Sequence, residues 1–147
     1  NITIPNRKNE VSRLLAKTKS GCSFFTTQIL FQSNAVCQLL FEYDEECRKK
    51  SLTPAEFFLC FTPLSDLLDL EYAKWLGAVV PKEAEQELKQ DFAKNSVALA
   101  QELYSQVREY ACENNLRLQI SANIEPINSR NLELSGELIK LLSAKVI

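Results

Sequence analysis

The stretch Gly21-Cys22-Ser23-Phe24-Phe25-Thr26-Thr27-Gln28-Ile29-Leu30-Phe31 decides the fold of this chain. A glycine that can end a helix precedes a run of aromatic and β-branched residues, which predicts a strand buried on both faces. Gln28 is a polar amide in this apolar run, and we expect the strand to end near it. Polar side chains at the carboxyl ends of parallel strands face the ligand crevice of α/β proteins, so Gln28 is the first candidate functional residue.

Outward from this strand, the spacing of apolar residues predicts alternating strands and helices. The expected order is a strand tail at Asn1–Ile4, a helix over 9–20, the Gln28 strand, a helix from about 34 to 50, a strand at Glu56–Phe61, helices at 66–76, 82–92 and 96–113, a strand at Leu116–Ile124 and a closing helix to about 145. Such alternation favours parallel strands joined by right-handed crossovers.

The predicted fold is α/β, namely the C-terminal half of a (β/α)8 TIM barrel with about four parallel strands and their crossover helices. A whole barrel needs about 250 residues, whereas this chain has 147. We therefore expect residues 1–147 to form a single domain fragment, from the end of strand 5 through helix 8, of a longer protein. The opening at Asn1 without methionine, directly in a strand-like run, agrees with that expectation.

Composition limits the functions to be considered. The chain has 17 basic and 19 acidic residues and a net charge of -2, which gives no electrostatic reason to expect nucleic acid or an anionic membrane as a partner. No apolar run is long enough for a bilayer span and no signal peptide opens the sequence, so a cytoplasmic location is expected. Histidine is absent, which excludes Ser-His and Cys-His pairs within the chain and argues against a zinc site. The five widely spaced cysteines are expected to be reduced, small apolar core residues.

Further candidate residues have two interpretations each. Arg13 and Lys17 lie four apart on one helix face and form either a solvated basic stripe or a clamp for a phosphate. Asn123, Glu125 and Asn128 follow the third clear strand, where they either contact a ligand or solvate a loop and cap the last helix. Trp75 is expected to be a core or interface anchor rather than a platform on which a ligand stacks.

Several short strings together resemble the second half of the methylenetetrahydrofolate reductases. They are Ile4-Pro5-Asn6-Arg7, Leu14-Leu15-Ala16-Lys17, Gly21-Cys22-Ser23-Phe24-Phe25-Thr26-Thr27-Gln28, Lys74-Trp75-Leu76-Gly77 with Val80-Pro81, and Asn123-Ile124-Glu125. The resemblance covers nearly the whole chain. It implies a barrel that binds FAD and passes electrons from NADH or NADPH to 5,10-methylenetetrahydrofolate or a related pterin.

The resemblance also implies roles for individual residues. Gln28 matches a glutamine at the end of the sixth strand that contacts the folate or the nicotinamide, and a neutral amide suits this task because it can both donate and accept hydrogen bonds. Lys17 matches a lysine beside the FAD phosphates, and Arg13 stands at a polar FAD contact. Asp66 and Asp69 fall in the loop where the family binds substrate.

Departures from the family pattern are equally specific. Lys8 stands where the family often has a histidine, and Ala16 stands where it has an arginine. The family's acidic catalytic residue belongs to the first four strands, so this chain is expected to hold no catalytic residue and to be inactive alone.

Two other hypotheses compete with the flavoenzyme. The first is a non-catalytic binding or assembly module, because half a barrel exposes two sheet edges and an apolar face that the missing N-terminal half or self-association would cover. The aromatic residues of that surface are Phe24, Phe25, Phe57, Phe58 and Phe61. The second is a barrel enzyme of unrelated chemistry, because fold does not determine function.

Overall fold

A computed structural model of the protein describes residues 7–143. Its elements are α1 (Arg7–Lys19), β1 (Phe24–Ile29), α2 (Asn34–Lys49), β2 (Glu56–Phe61), α3 (Leu67–Trp75), α4 (Lys82–Leu88), α5 (Phe92–Glu113), β3 (Ile120–Ile124) and α6 (Leu132–Ser143), with a single 3-10 turn at Ser129–Asn131 before α6. Gly21 ends α1 as predicted: its φ of 95° is in the left-handed region, where the absence of a Cβ avoids strain.

The three strands form one parallel sheet in the order β1-β2-β3. Phe25 is in register with Phe57, and Phe57 with Ile120, so consecutive strands are neighbours. The sheet is open, with one unpaired edge on β1 and another on β3 within the described part of the chain.

The prediction of a four-stranded half of a TIM barrel is therefore wrong. Residues 7–143 contain six α-helices but only three parallel strands in one open sheet. Three of the four predicted strands correspond to β1, β2 and β3, and α3, α4 and α5 all lie in the connection between β2 and β3. The fourth predicted strand, at Asn1–Ile4, lies outside the described residues.

One face of the sheet packs on helices. Alternate strand residues, among them Phe25, Phe57 and Leu59, join side chains of α1, α2, α5 and α6 in the main core. Tyr43 of α2 lies at its centre, with its ring centroid 5.4 Å from that of Phe57. Its hydroxyl accepts a hydrogen bond from the Ala55 backbone N–H at 2.9 Å, so the polar atom of this fully buried ring is satisfied.

A second core cluster lies where the loops after β1 and β2 meet α3 and α4. It consists of Ile29, Phe31, Leu64, Leu70, Ala73, Ala78 and Leu88. The side chain of Ser96 on α5 accepts a hydrogen bond from the Leu64 backbone N–H at 2.9 Å and so anchors the loop after β2. This cluster holds the α3–α4 segment against the carboxyl ends of the strands.

The opposite face of the sheet has no such helical cover within residues 7–143. Along β1, Phe24 (56% exposed) and Thr26 are exposed. Phe25 and Thr27, which alternate with them, are buried. Phe24 packs edge-on against half-buried Phe58 with ring centroids 5.8 Å apart. The prediction that the Gln28 strand is buried on both faces is thus wrong, because its burial alternates with period two.

Candidate functional site at the carboxyl edge of the sheet

Gln28 lies near the end of β1, as predicted, and its side chain is half-buried. Its amide Nε2 donates a hydrogen bond to the Leu76 carbonyl oxygen at 2.6 Å, and its Oε1 accepts one from the Ile29 backbone N–H at 3.1 Å. The amide therefore holds the end of α3 against the end of β1. One hydrogen of Nε2 and one lone pair of Oε1 are left over for a ligand.

A small pocket opens beside Gln28. Its walls include Leu30, Val36, Gly77 and Val79, and its volume is about 40 Å³. A cavity of this size holds a water molecule but not a pterin ring. Any larger ligand at Gln28 would have to bind to the surface of this edge.

Polar side chains at the end of β3 form a cluster with the end of β2. Asn123 Nδ2 donates to Glu125 Oε1 at 2.6 Å and lies 3.4 Å from the sulfur of Cys60. The Cys60 thiol in turn donates to Glu125 Oε1 at 3.4 Å. Glu125 is itself exposed, so its carboxylate is both held in place and accessible.

Burial raises the pKa of the Cys60 thiol to about 11, and the neighbouring Glu125 carboxylate acts in the same direction. The thiol is therefore protonated at neutral pH, and a protonated thiol is a poor nucleophile. Cys60 supports the Asn123–Glu125 pair rather than offering nucleophilic chemistry.

Asp69 is at the centre of a second polar cluster, between the loops that follow β2 and β3. Only 2% of the residue is exposed. Its carboxylate accepts hydrogen bonds from the Ser65 backbone N–H at 2.8 Å, from Asn128 Nδ2 at 2.7 Å and from Asn131 Nδ2 at 2.9 Å. These bonds satisfy a buried charge and lock the two loops together.

Asp66 caps α3 by accepting a hydrogen bond from the Asp69 backbone N–H at 3.1 Å. Arg130 reaches its other oxygen at 2.8 Å. The backbone hydrogen bond, followed by the charge of Arg130, lowers the pKa of the Asp66 carboxyl below its ordinary value. The structure thus gives both aspartates partners within the chain, and their predicted role in substrate binding remains a prediction.

The sequence did not single out Arg130 and Asn131 as parts of this cluster. Asn131 is fully buried and forms a reciprocal capping box with Asn128, in which each side chain binds the other residue's backbone. The Asn-x-x-Asn spacing was the signal available for this box.

Arg13 and Lys17 lie on α1, both exposed to solvent. The guanidinium of Arg13 pairs with the Glu10 carboxylate at 2.9 Å. The structure therefore agrees with a solvated basic face. The match of Arg13 and Lys17 to a site for the FAD phosphates is limited to their two exposed positive charges.

Trp75 and the cysteines depart in part from expectation. Trp75 is 76% exposed and stacks on Tyr72, so it is not a core residue of the described chain. All five cysteines are free; Cys37, Cys47 and Cys60 are buried as expected, whereas Cys112 is exposed. Among residues 7–143, no helix has the length and apolar character of a membrane span.

No family model matches the chain, and no curated protein matches it. A solved structure does match, that of an uncharacterized protein from Clostridium thermocellum which binds two copies of 5-methyl-5,6,7,8-tetrahydrofolic acid. The two sequences are 26% identical and the TM-score is 0.81. The match covers 93% of this chain and 49% of that chain, so this chain spans about half the length of its structural neighbour.

The comparison supports only part of what the resemblance to the methylenetetrahydrofolate reductases implies. It relates the chain to a protein that binds a folate, whereas membership of the methylenetetrahydrofolate reductase family is not shown. A folate is thus common to the resemblance and to the structural neighbour, whereas a reductase activity rests on the resemblance alone.

Proposed function

We propose that this chain binds a reduced folate at the carboxyl edge of its sheet. The observation that carries the proposal is the match over 93% of the chain to a protein that binds 5-methyl-5,6,7,8-tetrahydrofolic acid. Polar side chains at the ends of β1 and β3 supply suitable chemistry at that edge. Gln28 and the Asn123–Glu125 pair lie at the ends of β1 and β3, which are separated by β2. The usual spacing between neighbouring strands places these two ends roughly 10 Å from each other.

Glu125 is the residue to which we assign the pterin. The pyrimidine ring of a reduced folate presents an N3–H and a 2-amino group side by side, and a carboxylate can accept both hydrogen bonds at once. Asn123 fixes one oxygen of Glu125 at 2.6 Å, which holds the acceptor in place before the ligand arrives. Gln28 could then bind a second polar group of the ligand with the Nε2 hydrogen and the Oε1 lone pair that its own hydrogen bonds leave free.

Calorimetric titration with 5-methyltetrahydrofolate tests this assignment. The wild-type chain should bind, and Glu125→Gln should weaken binding by about tenfold to a hundredfold, since a hydrogen bond to a charged group contributes about 1.5–3 kcal/mol. Glu137→Gln is the matched control, because Glu137 is exposed on α6. Equal affinity in the two variants, or no heat of binding to the wild type, would contradict the proposal.

The finer proposal is that this folate site belongs to a flavoenzyme that uses FAD and NADH or NADPH. Its support is the resemblance of Lys17 to a family lysine beside the FAD phosphates, together with the position of Arg13, where the family has a polar FAD contact of another residue type. Because both cations are exposed and Arg13 is already paired with Glu10, we derive no redox step from them. Visible absorption of added FAD should change on binding, and Lys17→Gln should abolish that change; unaltered flavin absorption with the wild type would count against it.

A second candidate function is that of an assembly module. The observation in its favour is the bare face of the sheet, where Phe24 is more than half exposed and Phe58 half-buried. Exposed aromatic residues, on a sheet whose two edges have no partner strand within residues 7–143, favour association with another polypeptide, here a second copy or a further part of a longer protein. Sedimentation velocity should show association that Phe24→Ser reduces, and a monomer at every concentration would contradict self-association.

A further inference from the structure

A groove of about 490 Å³ lies between α5, β3 and α6, on the edge of β3 that pairs with no strand of residues 7–143. Small-molecule sites usually have volumes of roughly 300–1,000 Å³. Apolar residues, including Leu118, Ile120 and Leu142, form part of its wall, and Arg108 supplies a charged group. Among the described residues, no carboxylate lines the groove, so its charge is positive in a chain whose net charge is -2.

Arg108 differs from the other arginines whose side chains the structure describes. Each of the others pairs with a carboxylate at 3.1 Å or less; they are Arg13, Arg48, Arg117 and Arg130. Arg108 forms no ion pair with the described part of the chain, and its guanidinium lies 5.6 Å from the centre of the Tyr104 ring. This cation–π contact restrains the arginine side chain but occupies none of its N–H groups with an acceptor, so these donors remain free for a ligand.

Two carboxylates come near the groove without neutralising Arg108. Glu109 lines an adjoining groove that Arg108 also borders, but the two side chains form no ion pair, because successive residues of a helix do not face each other. Glu56 lies next to the lining residue Ser121, whose hydroxyl donates a hydrogen bond to it at 2.6 Å. The guanidinium of Arg108 therefore has no counter-charge within the described residues.

The open edge of β3 adds backbone donors to the groove. Gln119 and Glu125 hydrogen-bond to the backbone of β2 at 2.8 and 2.9 Å. Since alternate residues of a parallel strand bond to the same neighbour, Ile120 and Ala122 direct their N–H and C=O groups away from β2. The Tyr104 hydroxyl agrees with this direction, because it lies 3.5 Å from the Ile120 carbonyl oxygen. The outward N–H groups have no partner strand within residues 7–143 and can donate to a ligand.

We infer that this groove binds a small organic anion that combines one carboxylate with an apolar body. The guanidinium of Arg108 can donate two parallel hydrogen bonds to the carboxylate, and the outward N–H groups of Ile120 and Ala122 are further donors. The apolar wall would cover the body of the ligand. An inorganic anion would leave that wall bare, and a neutral ligand would leave the guanidinium without an acceptor. The groove lies at the amino end of β3, whereas Glu125 follows its carboxyl end, so this inference does not depend on the folate proposal.

Naphthoate is the probe for this site. Naphthamide has the same apolar body without the charge, and inorganic phosphate has the charge without the body, so these two compounds are the matched controls. Titrations are followed by NMR of the backbone amides, in which each residue reports separately. We expect saturable shifts of the Ile120 and Ala122 amide signals with naphthoate, weaker in high salt, and binding of both controls that is weaker by about tenfold or more.

Two variants locate the binding. Arg108→Gln should weaken naphthoate binding by about tenfold or more, because it removes the charged donors that pair with the carboxylate. Lys94→Gln is the matched control: Lys94 is exposed on the same helix, and its loss changes the net charge equally, roughly 20 Å away along the helix axis. This control variant should bind naphthoate as the wild type does.

The inference is overturned if Arg108→Gln binds naphthoate as tightly as Lys94→Gln does. It is also overturned if naphthamide binds as tightly as naphthoate, which would leave no role for the charge, or if phosphate does, which would leave none for the apolar wall. A wild-type chain without saturable shifts, or with shifts confined to residues outside the groove, would likewise overturn it.

Discussion

The side-chain amide of Gln28 donates a hydrogen bond to the carbonyl oxygen of Leu76 at 2.6 Å, joining the end of β1 to the residue that caps α3. The two residues are 48 positions apart in the chain. A Cβ at Gly77, the residue after Leu76, would lie 3.6 Å from the same Nε2 atom. The residue that the sequence marks as functional thus also positions helix α3.

Replacing Gln28 by leucine should destabilise the fold. Gln28→Leu removes the hydrogen bonds to Leu76 and Ile29, and we expect the free energy of unfolding to fall by about 1–2 kcal/mol. Urea denaturation followed by circular dichroism measures this change. Gln86→Leu, at an exposed position on α4, should change the midpoint little. If both variants unfold at the wild-type midpoint, the Gln28–Leu76 bond has no role in stability.

Substitution of Asp69 should lower the free energy of unfolding more than substitution of an exposed carboxylate residue does. Asp69→Asn places an amide N–H₂ among donors that require an acceptor, and we expect a loss of about 2–4 kcal/mol in the free energy of unfolding. Asp91→Asn is the control, because Asp91 caps α5 and asparagine caps helices as well as aspartate does. Denaturation midpoints measure both variants, and an equal, small effect in the two would contradict the role assigned to Asp69.

Local patterns predicted most of the elements because the forces that form them are local. β2 was predicted at Glu56–Phe61, where the structure has it, and Gly21 ends α1 as its lack of a side chain suggested. Boundaries set by side-chain caps were less accurate: α5 begins at Phe92, four residues earlier than predicted, because Asp91 caps it. These differences leave the order of the elements unchanged.

Long-range relationships were not predictable from the sequence. Periodicity shows which residues of β1 share a face, but it does not show that helices of residues 7–143 cover only one face of the sheet. From the sequence, Asn131 cannot be distinguished from an ordinary loop residue, because the partners of its buried amide, Ser65 and Asp69, are more than sixty positions away. Periodicity likewise could not decide between a core and an interface position for Trp75, because exposed and buried helix faces have the same residue spacing, and Trp75 is 76% exposed in the described chain.

The pH dependence of stability should have a contribution from Glu85. Hydrogen bonds from Lys89 and then Lys74 lower the pKa of Glu85 from 4.5 to about 2. The folded chain therefore binds this proton more weakly than the unfolded chain. The resulting stabilisation is complete above about pH 4.5 and is lost as the pH falls towards 2.

Glu85→Gln removes this contribution, so its stability should fall less steeply than that of the wild type across this acid range. Urea midpoints measured at a series of pH values give the comparison. Glu83→Gln, at an exposed position on the same helix, should follow the wild-type curve. Parallel curves for the wild type and Glu85→Gln would show that the ion pairs with Lys74 and Lys89 make no net contribution.

The five thiols should differ widely in reactivity. Cys112 is exposed on α5, whereas burial raises the pKa of Cys37, Cys47 and Cys60, and that of Cys60 reaches about 11. Since the thiolate is the reactive form, an aromatic disulfide reagent at mildly alkaline pH should modify Cys112 rapidly and half-buried Cys22 more slowly. Denaturant should release all five thiols.

Substitution assigns these phases. Cys112→Ser should remove the fast phase while leaving the slower one, and Cys22→Ser should do the opposite. Because Cys60 donates to Glu125 at 3.4 Å, its labelling requires the Asn123–Glu125 pair to open and so reports on the stability of the proposed pterin contact. Rapid modification of a second thiol besides Cys22 in the native Cys112→Ser variant, lost again when Cys60 is also replaced by serine, would show that the Cys60–Asn123–Glu125 cluster is not closed in solution.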